Sequence, residues 1–270
     1  MALNVTKPDN GNVTSDPAGI NCGTGGEDCS KSALAHGSTI ALTATPATGY
    51  SHAGWTGDAC ASQTGICTFQ IVTDTTVAPI FTVNSYTATV HVMGNGSVTS
   101  TPTGIDCGSD CDESFVYNTS VTLAATPSAG NHLFGWSGDC AGDACTLVMT
   151  DNKVVTATFK VNTYTVSVET PANGTITINP GNVVCDSTGA TCSTIVEHNA
   201  NVTLSATAET GYHWTSWTGA CSSDTDAVCE LTVTGDMSAG ALFDVNIYTL
   251  TTATNGTGSG VVTSSAQTAT

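Results

Sequence analysis

Arginine is absent from this 270-residue chain, and its only cations are Lys7, Lys31, Lys153 and Lys160, against twenty-two Asp and Glu for a formal charge of −18. Nucleic acids draw nearly all of their non-specific protein affinity from cationic side chains, so this scarcity excludes them as partners. An anionic bilayer surface is disfavoured for the same reason. No apolar run approaches the roughly 20 residues that span a bilayer, so this segment is not expected to insert in a membrane. The charged-then-apolar pattern of a secretory leader is missing at Met1, which places any such signal outside the segment. No GxSxG, HExxH or glycine-rich phosphate loop occurs, and no window sustains a helical period.

What the chain does have is repetition. "AGWTGDAC", "FGWSGDC" and "TSWTGAC" place Trp55, Trp136 and Trp217 at equal spacings of 81 residues. Around them "IALTATPATGY", "VTLAATPSAGN" and "VTLSATAETGY" align without a gap. Downstream, "IFTVNSYT", "TFKVNTYT" and "LFDVNIYT" put Phe81, Phe159 and Phe243 in register and mark the joins. Three repeats result, residues 1–84, 85–162 and 163–246, each of small-domain size. Residues 247–270 open a partial fourth repeat, expected to be its first hairpin. Because the chain starts and stops inside a repeat, it reads as a piece of a longer array. Val-Asn-x-Tyr-Thr runs from one repeat to the next with no glycine, serine or proline tract, so a stiff elongated rod is expected.

Twelve cysteines fall as two close pairs per repeat: Cys22 with Cys29 and Cys60 with Cys67, Cys107 with Cys111 and Cys140 with Cys145, Cys185 with Cys192 and Cys221 with Cys229. The intervening residues number 6 and 6, then 3 and 4, then 6 and 7. Zinc, which must gather four sulfurs on one tetrahedron, would hold those spacings nearly constant. A disulfide needs only two Cα atoms within about 7 Å, so local disulfides are the reading taken, although four cysteines allow three pairings. Disulfides place the protein in an oxidising compartment, outside the cell or on its surface. They also suit a repeat too small for a generous core.

Within the second repeat, "YTATVHVMG" alternates apolar and polar residues, Asn95-Gly96 supplies a turn, and "SVTSTP" returns, which predicts a hairpin. "ESFVYN" and "SVTLAATP" predict a second pair, and "HLFGWSG", "CTLVM" and "KVVTATFKVN" bring the total to seven strands. The fold class is therefore all-β, a tandem array of small disulfide-stapled repeats.

The three-fold symmetry also tests candidate chemistry. Asp58 and Asp139 match each other, yet the third repeat has Ala220 in their place, which favours a surface carboxylate over a catalytic acid. Of six histidines, only His132 and His213 coincide. Neither a catalytic residue nor a cofactor site is assigned. No EF-hand or nonapeptide calcium pattern is present, so no metal ligand is named. Trp55, Trp136 and Trp217 are expected in the core, with Gly135 permitting a close backbone approach, and so are Phe81, Phe159 and Phe243. The competing reading makes the tryptophans an exposed platform for sugar rings.

The combination of GIxC, VTLxAxP, GWxGxC and VxAxF over residues 94–159 resembles the divergent InlB B-repeat family, or bacterial repeat domains, and the resemblance extends repeat by repeat over the chain. It implies secreted or surface-attached prokaryotic proteins, a compact β-grasp-like or β-sandwich unit, and no catalytic residues. The leading expectation is thus a non-catalytic structural or adhesive stalk of a larger extracellular protein, whose partners are its own neighbouring repeats. Two alternatives stand beside it. One is a fibre subunit joined to other copies by strand addition, and the other is a carbohydrate-binding accessory of a secreted hydrolase facing a host or surface glycan.

Overall fold

Alternation decides which side of each strand meets the core. In Ser85–Met93, Ala88 and Val90 are buried while His91 faces solvent, the two-residue period of a half-buried strand. The structure, a computed structural model, describes residues 1–189 and 192–265, and every regular element in them is a strand. By its contacts the chain divides into two units, Met1–Val161 and Asn162–Thr270.

In the first unit the strands are β1 (Leu3–Val5), β2 (Gly11–Asp16), β3 (Asn21–Gly23), β4 (Gly26–Asp28), β5 (Ser30–Lys31), β6 (Ser38–Pro46), β7 (Tyr50–Thr56), β8 (Cys67–Ile71) and β9 (Thr75–Val83). Then come β10 (Ser85–Met93), β11 (Gly96–Thr101), β12 (Asp106–Cys107), β13 (Asp112–Val116), β14 (Ser120–Pro127), β15 (Asn131–Gly138), β16 (Cys145–Val148) and β17 (Lys153–Val161). The second unit holds β18 (Thr163–Val168), β19 (Gly174–Asn179), β20 (Val183–Cys185), β21 (Ser193–Glu197), β22 (Ala200–Ala208), β23 (Tyr212–Gly219), β24 (Val228–Val233) and β25 (Met237–Val245).

Each repeat makes two sheets. In the second, β13-β10-β17-β15 faces β12-β11-β14-β16, and one core unites them: Ala88, Val90, Val155 and Ala157 from the first meet Val98, Val121, Leu123 and Leu147 from the second. The third repeat has the same order, β21-β18-β25-β23 over β20-β19-β22-β24. The first has β5-β1-β9-β7 over a five-stranded β4-β3-β2-β6-β8. The unit is therefore a β-sandwich, and the β-grasp alternative, which requires a helix across the sheet, finds none among the described residues. Each fully buried Val, Leu or Ile contributes about 1.5–3 kcal/mol, so cores of this size leave modest stability after chain entropy is subtracted.

Two pairings differ from the sequence reading. β10 and β11 do not form a hairpin, because β10 belongs to one sheet and β11 to the other, and the same holds for β13 and β14. The Asn-Gly turn is an arch over the end of the sandwich rather than a ladder closure. Phe159 explains it: a Cβ on Gly96 would lie 2.5 Å from the tip of its ring, so the chain must pass over that ring without a side chain. Gly11 over Phe81 and Gly174 over Phe243 repeat the arrangement. The eighth strand missed in the sequence is β12, too short to show a period. The hairpin expected over 247–270 is not formed in 247–265, where no strand occurs, and residues 266–270 lie outside the described residues. A lone hairpin has no sheet face to bury.

The first and last strands of each repeat lie side by side and parallel, β1 with β9, β10 with β17, and β18 with β25. Parallel neighbours at the two chain ends mean that the chain arrives at one end of the sandwich and departs from the other. A single residue, Asn84, separates β9 from β10, and Asn162 alone separates β17 from β18.

Candidate functional site

The recurrent corner of each repeat is the end of the tryptophan strand and the disulfide loop that follows. β7, β15 and β23 each carry a β-bulge, with Ala53, Phe134 and Thr215 as the extra residue. The bulge turns the strand so that Trp55, Trp136 and Trp217 point inward, 3%, 7% and 3% exposed. Gly135 adopts φ 155 in the bulge, and nothing stands within 4 Å of where its Cβ would be. Its role is therefore backbone conformation and not the close approach expected from sequence.

The indoles differ in one respect. Trp55 Nε1 donates to Gly65 O and Trp217 Nε1 to Asp226 O, both at 2.8 Å. Among the described residues no acceptor faces Trp136 Nε1. The loop closed by Cys140–Cys145 spans 5 positions, whereas Cys60–Cys67 and Cys221–Cys229 span 7 and 8, so the shorter loop cannot bring a carbonyl to the indole. Phe134, Trp136, Ser137, Asp143 and Thr158 line an open cleft of about 420 Å³ in its place.

Five local pairs are disulfides: Cys22–Cys29, Cys60–Cys67, Cys107–Cys111, Cys140–Cys145 and Cys221–Cys229. The sixth pair departs from the sequence reading. Cys185 is a buried thiol sharing a side-chain hydrogen bond with Cys192. Burial first, and that hydrogen bond second, push the Cys185 thiol up to about 12. The physical difference lies in the loop: a β3–β4 hairpin carries Cys22 to Cys29, while after Cys185 the Asp186 carboxylate accepts from the Thr188 N–H at 2.9 Å and its hydroxyl at 2.5 Å. Those two bonds hold the Asp186 carboxyl below its ordinary range. Residues 190 and 191 lie outside the described residues.

Phe159 and Phe243 are buried, while Phe81 is only partly so, its ring set against Gly11 and edge-on to His52. Asp139, the acid beside Trp136, accepts the Val154 N–H at 2.6 Å and so pins the loop to β17. Cys221, Asp224 and Cys229 sit close enough to resemble a metal site, but both sulfurs are consumed in their disulfide.

Three structural roles escaped the sequence. Asp74, Asn152 and Asp236 each accept the backbone N–H near the start of the first strand, from Ala2, Thr87 and Thr165 at 2.7, 2.9 and 2.8 Å. Their shared register was the available signal, but Asp and Asn there look like ordinary turn residues. Ser100 Oγ donates to Pro102 O at 2.7 Å and accepts the Ile105 N–H at 3.0 Å, and Ser15 repeats this with Pro17 and Ile20. The carbonyls of Cys29, Cys111 and Cys192 accept from Val5, Val90 and Val168, each at 2.8 Å.

A family model described as the divergent InlB B-repeat domain matches residues 2–85, 86–163 and 164–247. No curated protein sequence matches the chain. Among solved structures, the Bacillus anthracis TIE protein aligns at 8% identity over 90% of this chain and 50% of its own, with a TM-score of 0.48. The chain thus spans half the length of that relative. The pilus adhesin SpaC from Lactobacillus rhamnosus GG, in its open conformation, aligns at 9% identity over 93% of this chain and 44% of its own, TM-score 0.26. Two B repeat units of the collagen binding protein of Staphylococcus aureus align at 10% identity over 90% and 74%, TM-score 0.18. Among the described residues no helix is long and apolar enough to cross a membrane.

Proposed function

The chain belongs to the divergent InlB B-repeat domain family, and from that premise we propose that it is a non-catalytic extracellular repeat segment, a stalk that gives length and covalent toughness to a larger secreted or cell-surface protein. The observation that carries this reading is the parallel pairing of first and last strands, Ala88 to Met93 against Lys153 to Thr158. A repeat built that way receives the chain at one end and releases it at the other. With one asparagine, Asn84, between the first and second repeats there is no slack to fold those two back on each other. A fold whose ends emerge together would instead make a cluster.

The disulfides support the same role. Each closes a short loop between strands and holds it by a covalent bond. Closing loops of 4 to 8 positions removes little chain entropy, so each contributes toward the low side of about 2–4 kcal/mol. Disulfides form and persist in oxidising compartments, which supports the extracellular reading. The non-catalytic reading rests on the repeats themselves, where side chains that recur, such as Asp74, Asn152 and Asp236, satisfy backbone donors of their own repeat.

Small-angle scattering of chains carrying one, two and three repeats tests the stalk directly. The largest dimension is expected to rise by a constant increment per repeat. A dimension that stays flat as repeats are added would overturn the reading.

A further inference from the structure

Three of the four lysines are engaged within the chain: Lys7 with the Glu27 carboxylate at 2.5 Å, Lys153 with Asp151, and Lys31 with the Ala18 carbonyl. Lys160 has neither an ion pair nor a hydrogen bond among the described residues. Its ammonium stands 3.2 Å from the centroid of the Phe134 ring, where the π face attracts it. In a chain with twenty-two acids, this ammonium is thus held over an aromatic wall instead of beside a carboxylate.

That wall is itself particular to the second repeat. Phe134 is the extra residue of the bulge and is 61% exposed, whereas Ala53 and Thr215 hold the same place in the other repeats. An exposed phenylalanine costs solubility and does nothing for the core. Beside it lies the Trp136 indole, whose N–H lacks the carbonyl that caps Trp55 and Trp217. Aromatic wall and open indole therefore line one cleft of about 420 Å³ together with Ser137, Thr158 and the Asp143 carboxylate, and the Lys160 ammonium, outside that lining, rests on the Phe134 ring that walls it.

We propose that this cleft binds a carboxylated sugar, an acidic residue of a glycan. The apolar C–H face of a pyranose suits the aromatic wall, and its carboxylate suits Lys160 and the indole N–H, both donors with nothing else to bond. Asp143 selects among anions: its carboxylate repels a bare phosphate or sulfate but accepts from the hydroxyls of a sugar. Only a ligand carrying both a negative charge and hydroxyl donors satisfies the whole set. The assignment is independent of the stalk reading, since a stalk can carry a side pocket on one of its repeats.

The test is titration of the isotope-labelled full chain with tri-galacturonate, followed by amide shifts and calorimetry, with the neutral galactose trimer alongside. Shifts are expected around residues 134–143 and 158–160, with the neutral trimer binding at least roughly tenfold more weakly, the scale of one charge-assisted hydrogen bond. Lys160→Gln and Phe134→Ala, both at exposed positions, should each lower affinity by a similar factor while leaving the amide spectrum otherwise unchanged. Replacing residues 141–144 by residues 61–66, the longer loop of the first repeat, should cap the indole and abolish binding. Absence of shifts at millimolar trimer, equal binding of the neutral trimer, or wild-type affinity in Lys160→Gln would each overturn the proposal.

Discussion

Tyr117 of the second repeat lies against the backbone of Gly49 in the first, so closely that a Cβ on Gly49 would stand 2.0 Å from Tyr117 Cδ1. Hydrogen bonds fix the contact: Asn84 N–H donates to Gly49 O at 2.8 Å, Tyr117 N–H donates to Asn84 O at 2.7 Å, and Ser51 Oγ donates to Asn84 Oδ1 at 2.6 Å. The single residue between the first and second repeats is thus bonded to both, and these two repeats fall in one unit.

Gly49→Ala should break that contact. Gly49 also has φ 83, which an alanine adopts only under strain, so the expected loss is about 1–3 kcal/mol by calorimetry. Strain and clash can be separated. Tyr117→Ala in the Gly49→Ala background should recover part of the loss, and an unchanged deficit would assign all of it to backbone strain.

The third repeat offers a redox prediction. The Cys192 carbonyl accepts from Val168 as those of the disulfide-bonded Cys29 and Cys111 accept from Val5 and Val90, so at Cys192 the sixth pair shares the backbone contact of its bonded counterparts even though the loop after Cys185 differs. Protein from an oxidising compartment is expected to have all twelve cysteines resistant to alkylation until reductant is added. A labelled Cys185–Cys192 pair would count against it.

The same thiol gives the reduced form a pH dependence. Burial pushes Cys185 up to about 12, from 9.0 in an unperturbed thiol. The unfolded chain therefore releases this proton first, and the neutral buried thiol stabilises the fold fully below pH 9.0 and progressively less as pH climbs toward 12. Denaturant midpoints of the reduced chain should fall over that window more steeply than those of Cys185→Ser, and parallel curves would exclude the assignment.

Much of this architecture was legible in the sequence. The cysteine pairs, the tryptophan spacing and the two-residue alternation of β10 are properties of short segments, and short segments are what a sequence displays. The sheet to which each strand belongs is not local. Asn95-Gly96 announces a turn, but whether it closes a ladder or arches over the core depends on the Phe159 ring arriving from β17, sixty-odd positions later. The cleft in the second repeat was hidden for a similar reason. Phe134 reads as one more apolar residue before Trp136, and only the bulge turns it outward.

Trp→Phe substitutions should separate packing from hydrogen bonding. All three indoles are buried, so each change leaves a comparable void, but Trp55→Phe and Trp217→Phe also strand the carbonyls of Gly65 and Asp226. Trp136→Phe loses no such bond. It should therefore destabilise by about 1 kcal/mol less than either of the others, measured by chemical denaturation. Equal losses at all three sites would show that the two hydrogen bonds contribute nothing net.

The arch itself can be tested by a double-mutant cycle on Gly96 and Phe159. A methyl at Gly96 would sit 2.5 Å from the ring tip, and backbone β10–β11 continuity leaves it no room to withdraw, so Gly96→Ala should cost about 1–3 kcal/mol. Phe159→Leu alone leaves a cavity and should cost a comparable amount. Because the smaller leucine vacates the space the methyl needs, the double variant should be more stable than the sum of the two losses predicts, with a coupling of about 1 kcal/mol. Strict additivity would mean that the glycine is required by the turn alone, as in an ordinary hairpin, and that Phe159 does not direct the chain from one sheet to the other.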